Sequence, residues 1–502
     1  MSNKAHFHPF SVLVEFIRHL KSWFFVFVLG YINLKSSAYF WLGAGSVVFL
    51  ILMITVIGYW SSYYQITNEH IVIYKGLVNK RETIIPYNRI QTLKQRQWFF
   101  LKPFHLVQLL IETAGGDNDE PEASLPVIKE ETVQLIEHYR RSNQQINQVE
   151  KEPEVVPTSD NIDLFDLRSA DTDEQTKESK TVSAQYTITN QDILMFALTD
   201  LGMMTAMFTL FFFLQEYLPK KWFDKISKES LELLQAGWLL TISICLIVVV
   251  IMAAFSVMKS LMKYYQFKVE REERTLTIES GLFERKTQKI PLTKIQGIKI
   301  KQPLMRKLFG IVSVELSLAG GQSADDMDTS DQTLYLLPIV REYQVFTTLN
   351  QLLPEWQFEQ PDLKFTSRDS LWYFLRWKLL AAVIVTAVVS YFSFRMASLV
   401  GIGIVLLSLL SAWLQSHFQG YAIQSTSRLC LQSFKFGTKT MTFVEKEKVQ
   451  AFAEKTGKWL YQKQLGHVSL WVKASLADEE VCLRYLNFGD IRKLKQFYRE
   501  VE

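Results

Sequence analysis

The sequence predicts an α+β membrane protein in which three transmembrane helical hairpins alternate with three small β-barrels, each capped by a C-terminal helix. Three observations predict this architecture: apolar runs that occur in pairs, stretches of β-type sequence that follow the pairs, and a sequence motif, here called the repeated phrase, that occurs twice. "PYNRIQTLKQRQ" begins at residue 86 and returns as "PLTKIQGIKIKQ" at residue 291, 205 residues later. Matching positions at one offset over a long stretch indicate a repeated structural unit.

The paired apolar runs predict the hairpins. A helix that crosses a bilayer needs about 20 apolar residues. Five runs reach or approach that length: residues 39–60, 193–214, 236–258, 371–394 and 397–418. A sixth run, 23–34, suffices only if its helix begins earlier and carries Arg18 and Lys21 at the headgroups. The connections within each pair are short, which favours antiparallel hairpins.

Strands are predicted in the three stretches that follow the hairpins, because β-branched residues alternate there with polar ones. In the first two stretches, glycine, proline and glutamine positions recur at the common offset. The third stretch keeps Gly437 and Gln450, but it lacks the proline and its spacings shift by two residues. Six or seven short strands per copy are typical of a small barrel, since curling a sheet hides its edge strands.

Each copy is predicted to end in an amphipathic helix that covers one mouth of the barrel. The helices are placed at residues 126–142, 338–353 and 490–502. Pro126 and Pro338 are expected in the first helical turn, where the missing N–H leaves no hydrogen bond unmade.

Together these patterns divide the chain into nine segments. They are an N-terminal interfacial segment 1–22, hairpin 23–60, copy 1 at 61–141, an acidic linker 142–190, hairpin 191–258, copy 2 at 259–354, a connector 355–370, hairpin 371–418 and the divergent copy 3 at 419–502. Ten acidic and four basic residues lie in 142–185, a composition that is typical of disordered linkers.

The order of the motifs resembles a known family. A membrane hairpin is followed by Tyr-Gln, a Gly-Leu turn, "IP" and "(R/K)IQ", a further Gln, "FG", "AGG" and a segment led by Leu-Pro. This order resembles the bacterial pleckstrin-homology-like (PH-like) family of the second type, and in particular its three-copy, membrane-flanked members. The resemblance covers nearly the whole chain except the acidic linker and is weaker in copy 3. It implies PH-like barrels at the membrane of a bacterial envelope, no enzymatic activity, and a smaller one-copy relative as a partner.

Basic residues concentrate in the three copies although the net charge of the whole chain is only +4. Residues 259–318, for example, carry thirteen basic and six acidic residues. The densest cluster comprises Lys294, Lys299, Lys301, Arg306 and Lys307. Held at a bilayer surface, such residues attract anionic headgroups. Three interpretations stay open: an ordinary solvated face with positive-inside bias, recognition of lipid heads, or an acidic protein partner that could be the chain's own linker.

One polar site is predicted inside the membrane. Asp200 lies within the third apolar run, and Arg376 and Lys378 lie at comparable depth in the fifth. An intramembrane carboxylate is a functional hypothesis by default. The alternative is that Asp200 simply pairs with Arg376 or Lys378 between packed helices.

The repeated Pro-x-x-(Arg/Lys)-Ile-Gln phrase has a structural and a functional interpretation. It could form a ligand site, or it could turn a corner of the barrel. At a corner, the proline fixes the backbone before a strand, Ile90 and Ile295 point inward, and glutamine side chains bond backbone groups. The structural interpretation is favoured.

No catalytic motif, phosphate-binding loop or metal-ligand spacing is found, so the sequence predicts neither an enzyme nor a cofactor. The small net charge argues against a nucleic-acid binder. The side of the hairpins that carries the copies has more basic residues than the tight loops of hairpins one and three, which favours a cytoplasmic location of the copies. The loop of hairpin two is itself rich in lysine and argues for the opposite orientation.

The leading hypothesis is therefore a non-enzymatic bacterial integral membrane protein. It would present three PH-like domains at the cytoplasmic surface, where they bind lipid heads or proteins and assemble complexes, in envelope maintenance or stress resistance. A homo-oligomer or a complex with a one-copy relative is the expected assembly. The competing hypothesis is a transporter, or a transporter accessory, that uses the six-helix bundle.

Overall fold

The structure is a computed structural model. It describes residues 4–33, 38–76, 80–113, 123–149, 182–199, 238–318, 333–366, 370–392, 394–473 and 479–499. Asp200, most of the predicted acidic linker and the loop of the second hairpin lie outside the described residues.

Each copy contains seven strands among the described residues. Copy 1 has β1 (Ala5–His6), β2 (Tyr63–Ile66), β3 (His70–Lys75), β4 (Arg81–Pro86), β5 (Ile90–Trp98), β6 (Leu106–Thr113) and β7 (Ala123–Lys129). Copy 2 has β8 (Val182–Thr187), β9 (Lys268–Glu272), β10 (Thr275–Ser280), β11 (Glu284–Pro291), β12 (Ile295–Pro303), β13 (Ile311–Leu318) and β14 (Tyr335–Arg341). Copy 3 has β15 (Lys364–Phe365), β16 (Gly420–Ile423), β17 (Arg428–Lys435), β18 (Thr438–Glu445), β19 (Val449–Lys455), β20 (Leu465–Val472) and β21 (Glu479–Asn487).

The helices fall into three groups. The helices of the hairpin regions are α1 (Phe10–Asn33), α2 (Ala38–Trp60), α4 (Asn190–Thr199), α5 (Trp238–Tyr264), α8 (Leu371–Phe392) and α9 (Phe394–Phe418). The copies end in α3 (Glu130–Val149), α7 (Val345–Leu352) and α11 (Phe488–Arg499), and the short helices α6 (Leu304–Leu308) and α10 (Lys458–Gln462) lie inside copies 2 and 3.

Among the described residues, three helices are long and apolar enough to cross a bilayer, over Tyr39–Trp60, Leu371–Tyr391 and Gly401–Phe418. The third hairpin is tightly packed, because a Cβ added at Gly401 of α9 would lie 2.7 Å from Thr386 Cγ2 of α8. α1 begins at Phe10 and so includes Arg18 and Lys21, as a crossing by this helix requires. The count of six spans stays a prediction.

The first strand of each copy precedes its hairpin in the chain. β1 pairs with β2 across the first hairpin, with Ala5 opposite Tyr64. β8 pairs with β9 and β15 pairs with β16 in the same antiparallel way. The helices are therefore inserted between strands one and two of each copy, and the sheets recruit short segments from stretches that the sequence assigned to the N-terminal segment, the linker and the connector.

The α+β class is confirmed, but a closed barrel is not. Within the described residues, a copy consists of a four-stranded set and a three-stranded set that pack face to face. In copy 1, Ile71 and Ile85 of the first set meet Leu93 and Leu109 of the second, and Val133 of α3 covers the same core. Each apolar side chain buried in this way contributes about 1.5–3 kcal/mol.

The sheets run across the boundaries between copies. Their strand orders are β1-β2-β3-β4, β7-β6-β5-β11-β10-β9-β8, β14-β13-β12-β18-β17-β16-β15 and β19-β20-β21. The second set of copy 1 thus joins the first set of copy 2 through β5 and β11, and copy 2 joins copy 3 through β12 and β18. The three copies form one array of linked sheets.

The helix starts predicted at the two prolines are wrong. Pro126 lies in β7 and Pro338 in β14, and the helices α3 and α7 begin later. Both strands are the last of their sheets, and the pairing of each is irregular around its proline. Edge strands and bulges are the places in a sheet that accept a residue without an N–H.

The repeated phrase forms the corner between the two sets of strands. Pro86 and Pro291 precede the 3₁₀ turns Tyr87–Arg89 and Leu292–Lys294, and the next strands begin with buried Ile90 and Ile295. The last glutamines of the longer phrase bond backbone carbonyls: Gln97 Nε2 donates to Leu106 O at 3.3 Å, and Gln302 Nε2 donates to Ile311 O at 3.5 Å. These contacts agree with the structural interpretation of the phrase. The backbone bonds expected of the glutamines that follow Ile90 and Ile295 stay a prediction.

Candidate functional site

The five basic residues predicted as a cluster occupy different environments. Lys299 pairs with Glu479 of β21, and Lys301 Nζ lies 2.6 Å from Glu315 Oε2. Two of the five charges are therefore partly neutralised within the protein.

Arg306 connects copy 2 to the second hairpin. Its side chain is buried, Nε donates to Thr199 Oγ1 at 3.3 Å, and the guanidinium carbon lies 4.2 Å from the ring centroid of Phe196. Lys307 Nζ lies 4.2 Å from the ring centroid of Phe418, at the end of α9. These two cations hold hairpin helices against the copies.

Lys294 is the member of the set that faces other cations. Burial lowers its pKa first, and the positive charges of Lys448 and Lys473 in copy 3 lower it further. Lys448 occupies the place in the copy 3 turn that Lys294 occupies in copy 2. Three lysines therefore meet at the junction of copies 2 and 3.

The two basic residues predicted inside the membrane lie at the base of the third hairpin. Lys378 Nζ donates to Ser411 Oγ at 2.8 Å and to Gln415 Oε1 at 3.1 Å, across from α8 to α9. The Arg376 guanidinium lies 5.2 Å from the Tyr373 ring centroid on the same helix. Their predicted pairing with Asp200 stays a prediction.

A group of four basic side chains surrounds this base, and we call it the basal cluster. Arg376 and Lys378 come from α8, His467 from β20 and Arg484 from β21. Arg484 lies close enough to interact electrostatically with Lys378 and with His467, and Arg376 interacts with His467 as well. Within the described part of the chain, no carboxylate forms an ion pair with any of the four.

Apolar contacts between the third hairpin and copy 3 position the basal cluster. Phe374 and Leu375 of α8 pack with Leu460 and Tyr485 of copy 3. The Tyr485 ring meets Phe374 edge to face, with 4.8 Å between centroids. Because α8 cannot turn without losing these contacts, Arg376 and Lys378 are held beside β20 and β21.

A bulge in the β20–β21 pair orients the other two residues of the basal cluster, His467 and Arg484. The register shifts between Gly466 and Val468, and Tyr485 has a left-handed backbone with φ 57°. Such a conformation costs a non-glycine residue about 1–3 kcal/mol and is concentrated at functional sites. Here it lets the Tyr485 N–H donate to His467 Nδ1 at 3.2 Å, which orients the imidazole.

The backbone of Arg484 is anchored as well. Gln419 Oε1 accepts a hydrogen bond from Arg484 N at 3.1 Å, and Gln419 Nε2 donates to Arg484 O and to Thr366 Oγ1. Gln419 joins the end of α9 to β16 and is buried. The exposed guanidinium therefore projects from a fixed backbone at the foot of the hairpin.

The electrostatics of the basal cluster favour an anion. Burial lowers the pKa of His467, and the charges of Arg484 and Arg376 lower it further. Cations gathered without carboxylates stabilise a negatively charged group that approaches them. Phosphate matches this donor set, since arginine and lysine together offer charge-assisted hydrogen bonds to its oxygens.

Sequence reasoning found Arg376 and Lys378 but missed Arg484 and His467. Those two residues lie in the divergent copy, where no motif marks them, and they reach the hairpin only through the pairing of β20 with β21. The alternation of β21 could have placed Arg484 on its exposed face, but not beneath a particular helix.

With the copies, hairpins and junctions described, comparison with known proteins defines the class. The family model of the bacterial PH domain matches residues 24–143 and 211–351, just over half of the chain. The chain belongs to this family.

A relative is similar over nearly the full length of both chains. The UPF0699 transmembrane protein YdbT of Bacillus subtilis (strain 168) is 26% identical over 517 aligned residues, which cover 99% of this chain and 98% of the relative. No solved structure matches the chain. The resemblance predicted from the motif order is confirmed, and the chain is a membrane protein with bacterial PH domains.

Proposed function

We propose that this protein is a non-enzymatic membrane-anchored platform whose copy 3 contacts anionic lipid headgroups through the basal cluster. The observation that carries the proposal is the convergence of Arg376, Lys378 and Arg484 at the foot of the third hairpin, where no carboxylate of the described residues pairs with them. The membership of a PH-domain family, which points to binding rather than to catalysis, supports it.

The depth of the cluster suits a headgroup. Arg376 follows Leu371, the first residue of the span, by about 8 Å along the helix axis. Long basic side chains at that depth extend towards the interface, where lipid phosphates lie. Lys378 lies two residues further along α8, and its ammonium group is held by Ser411 of α9. A phosphate at the interface is therefore within reach of both helices and of β21.

The strength of the contact can be estimated. Each Lys or Arg close to an anionic bilayer surface contributes about 1 kcal/mol. Removing two of the cations should therefore weaken retention of an anionic lipid roughly 30-fold, since about 1.4 kcal/mol corresponds to a factor of ten.

We further propose that the copies lie on the cytoplasmic side. Residues 61–105 carry seven basic and two acidic residues, and residues 418–502 carry fourteen and nine. A basic excess beside membrane spans favours retention in the cytoplasm. The anionic headgroups would then be those of the inner leaflet.

The test uses the full-length protein in nanodiscs that contain phosphatidylcholine with or without phosphatidylglycerol. The number and affinity of retained phosphatidylglycerol molecules are measured by native mass spectrometry for the wild type and for the Arg376→Ala/Arg484→Ala variant. We expect the variant to lose retention of phosphatidylglycerol but not of phosphatidylcholine.

Arg492→Ala is the matched control, since Arg492 is an exposed arginine on α11 of the same copy. It should bind as the wild type does. Equal retention of phosphatidylglycerol by the wild type and the double variant would refute the proposal.

A further inference from the structure

The two internal junctions between copies use one register. At the first, Trp98 of β5 faces Glu284 of β11 and Leu93 faces Lys289. At the second, Pro303 of β12 faces Thr438 of β18 and Ile298 faces Phe443. Counted from the equivalent 3₁₀ turns, these are the same pairs of positions. Trp98 corresponds to Pro303 and Leu93 to Ile298, while Glu284 corresponds to Thr438 and Lys289 to Phe443. The protein therefore makes one interface twice.

The two strands that would make this interface a third time are sheet edges. β4 is the copy 1 strand that corresponds to β11 and β18, and it is the last strand of its sheet among the described residues. β19 is the copy 3 strand that corresponds to β5 and β12, and it is the first strand of its sheet. One end of the array thus presents β4 as an edge strand, and the other end presents β19. These are the two kinds of strand that pair with each other at the internal junctions.

Burial identifies the side chains that lack their neighbours at these ends. Ile84 of β4 corresponds to Lys289 and Phe443, which are 7% and 0% exposed at the internal junctions, yet Ile84 is 57% exposed. Phe452 of β19 corresponds to Leu93 and Ile298, which are fully buried, yet Phe452 is only half-buried.

The C-terminal helix of the preceding copy completes each internal junction. Lys289 Nζ lies 2.6 Å from Glu137 Oε2 of α3, and Phe443 meets Phe346 at the start of α7, with 6.3 Å between ring centroids. In copy 3 the corresponding helix is α11, whose Tyr498 stacks on Phe452 with 5.7 Å between centroids. An apolar surface for an incoming Ile84 is therefore already assembled.

We propose that β19 of one chain pairs antiparallel with β4 of a second copy of this chain, in the register of the internal junctions, so that Ile84 lies opposite Phe452. The same register places Thr83 opposite Ala453 and Glu82 opposite Glu454. The proposal goes beyond lipid contact and does not depend on it. Its occupant is a second copy because the interface continues one that the chain already makes twice.

The pairing is head to tail, so each chain keeps one edge open. Heterologous contacts of this kind build rings where the rotation closes and open filaments where it does not. All members stand on their hairpins in one bilayer, which confines the assembly to two dimensions.

Charge sets the strength of the contact. Glu82 would face Glu454, which costs free energy as like charges do across a strand pair. Lys495 of α11 lies 3.2 Å from Glu454 and reduces this repulsion. Reversing one charge, as in Glu82→Lys, should therefore strengthen the association.

The test is disulfide crosslinking between two full-length chains with different tags. Cys245, Cys430 and Cys482 are first replaced by alanine, and then one chain receives Thr83→Cys and the other Ala453→Cys. Both are reconstituted together in phosphatidylcholine vesicles, so that the outcome is independent of anionic lipid. After mild oxidation, we expect a crosslinked species that carries both tags.

Two matched controls define the geometry. Two chains that both carry Thr83→Cys should not crosslink, because like ends do not meet. Glu454→Cys in place of Ala453→Cys should crosslink poorly with Thr83→Cys, since a shift of one residue places the side chain on the other face of the sheet.

A disrupting variant completes the experiment. Ile84→Asp changes an exposed side chain, so the monomer should fold, but it sets a carboxylate against Phe452 and beside Glu82 and Glu454. Crosslinking between Thr83→Cys and Ala453→Cys should fall at least tenfold in this background. Absence of the mixed crosslink in the parent pair, or equal crosslinking of both ends with themselves, would overturn the proposal.

Discussion

A single glycine determines the turn before β4 and before each of its counterparts, β11 and β18. Gly76, Gly281 and Gly437 all have a positive φ, at 101°, 112° and 74°. A Cβ at Gly281 would lie 2.0 Å from the Glu284 carbonyl oxygen, a contact that no side chain can accept. The repetition of this glycine was visible in the sequence, and the backbone conformation explains it, because φ above zero is open to glycine at little cost.

Gly281→Ala should destabilise copy 2 by more than the 1–2 kcal/mol of a left-handed alanine, because the clash with Glu284 adds to the backbone cost. Gly310→Ala is the control: its φ is +61°, but nothing lies within 4 Å of an added Cβ. Thermal unfolding in detergent should therefore show a larger loss for Gly281→Ala. Equal losses would mean that the clash is relieved by movement of the turn.

His467 makes the base of the third hairpin sensitive to pH. Its folded-state pKa lies below the ordinary 6.5, because burial and the charges of Arg484 and Arg376 disfavour the imidazolium. At a pH below about 6.5 the unfolded chain binds the proton more readily, so the stability of copy 3 should fall as the pH drops through that value and should be unaffected above it.

Hydrogen exchange of β20 and β21 between pH 5 and pH 8 measures this dependence. His467→Gln should remove the loss of protection at low pH. Phosphatidylglycerol should oppose the loss in the wild type, since an anion at the basal cluster favours the imidazolium. A loss of equal size in His467→Gln would assign the pH dependence to other groups.

At the scale of elements, sequence reasoning succeeded where a pattern is local and failed where pairing is distant. The alternation of "KTMTFV" and "ITNEHIVIY" predicted strands, and β18 and β3 lie there. Two-residue β1 and β15 leave no periodic signal, and they exist because β2 and β16 provide partners across a hairpin. Pro126 and Pro338 suggested helix starts, since an edge position that tolerates proline cannot be recognised before the order of strands is known.

The junction between copies 1 and 2 contains a buried ion pair that no local sequence pattern predicts. The side chains of Lys289 and Glu137 are 9% and 12% exposed and come from different copies. Removing one partner of a buried pair leaves an uncompensated charge and costs about 3–5 kcal/mol. Glu137→Gln should therefore loosen β5 from β11 more than it affects the remote β12–β18 junction.

Hydrogen exchange of the β11 amides reports the effect directly. Faster exchange is expected in Glu137→Gln, with the β18 amides as the internal reference. The double variant Glu137→Lys/Lys289→Glu should restore part of the protection. If neither variant changes the exchange of β11, the pair does not hold the two copies together.

At the scale of the whole molecule, each copy is tied closely to its hairpin region, because the helices lie between strands one and two of the copy. The chain leaves a copy through β1 and returns through β2 a few residues after α2 ends at Trp60. The connections are too short for free rotation of a copy away from its helices. We therefore expect all three copies to lie on one side of the membrane.

Cysteine labelling tests this arrangement with one position in each copy. Phe104, Leu308 and Phe436 are 57%, 78% and 103% exposed, so cysteines at these positions can react without disturbing the fold. In a background without the native cysteines, all three should react with an impermeant maleimide from the same side of sealed vesicles, and that side should be the cytoplasmic one. Labelling of Leu308→Cys from the opposite side would rule out a hairpin between copies 1 and 2.

The candidate site lies at the limit of what sequence can predict. A basic excess near the membrane was visible, and so were Arg376 and Lys378. The sequence could not show which of the basic residues form ion pairs. Lys299 and Lys301 pair with Glu479 and Glu315, whereas Arg484 has no carboxylate partner within the described residues. Only the pairing of distant strands decides which charges acquire partners.

The placement of the first strands also governs the order of events during synthesis. A ribosome completes Ala5–His6 well before Tyr63–Ile66, and at roughly 5–20 residues per second the interval lasts seconds. During that interval the intervening helices must enter the lipid, so β1 waits for a partner that arrives only after insertion. β5 waits longer still, because β11 belongs to the next copy. Folding of the water-exposed sheets therefore follows membrane insertion of the helices. A hairpin that fails to insert would leave unpaired every strand whose partner follows that hairpin in the chain.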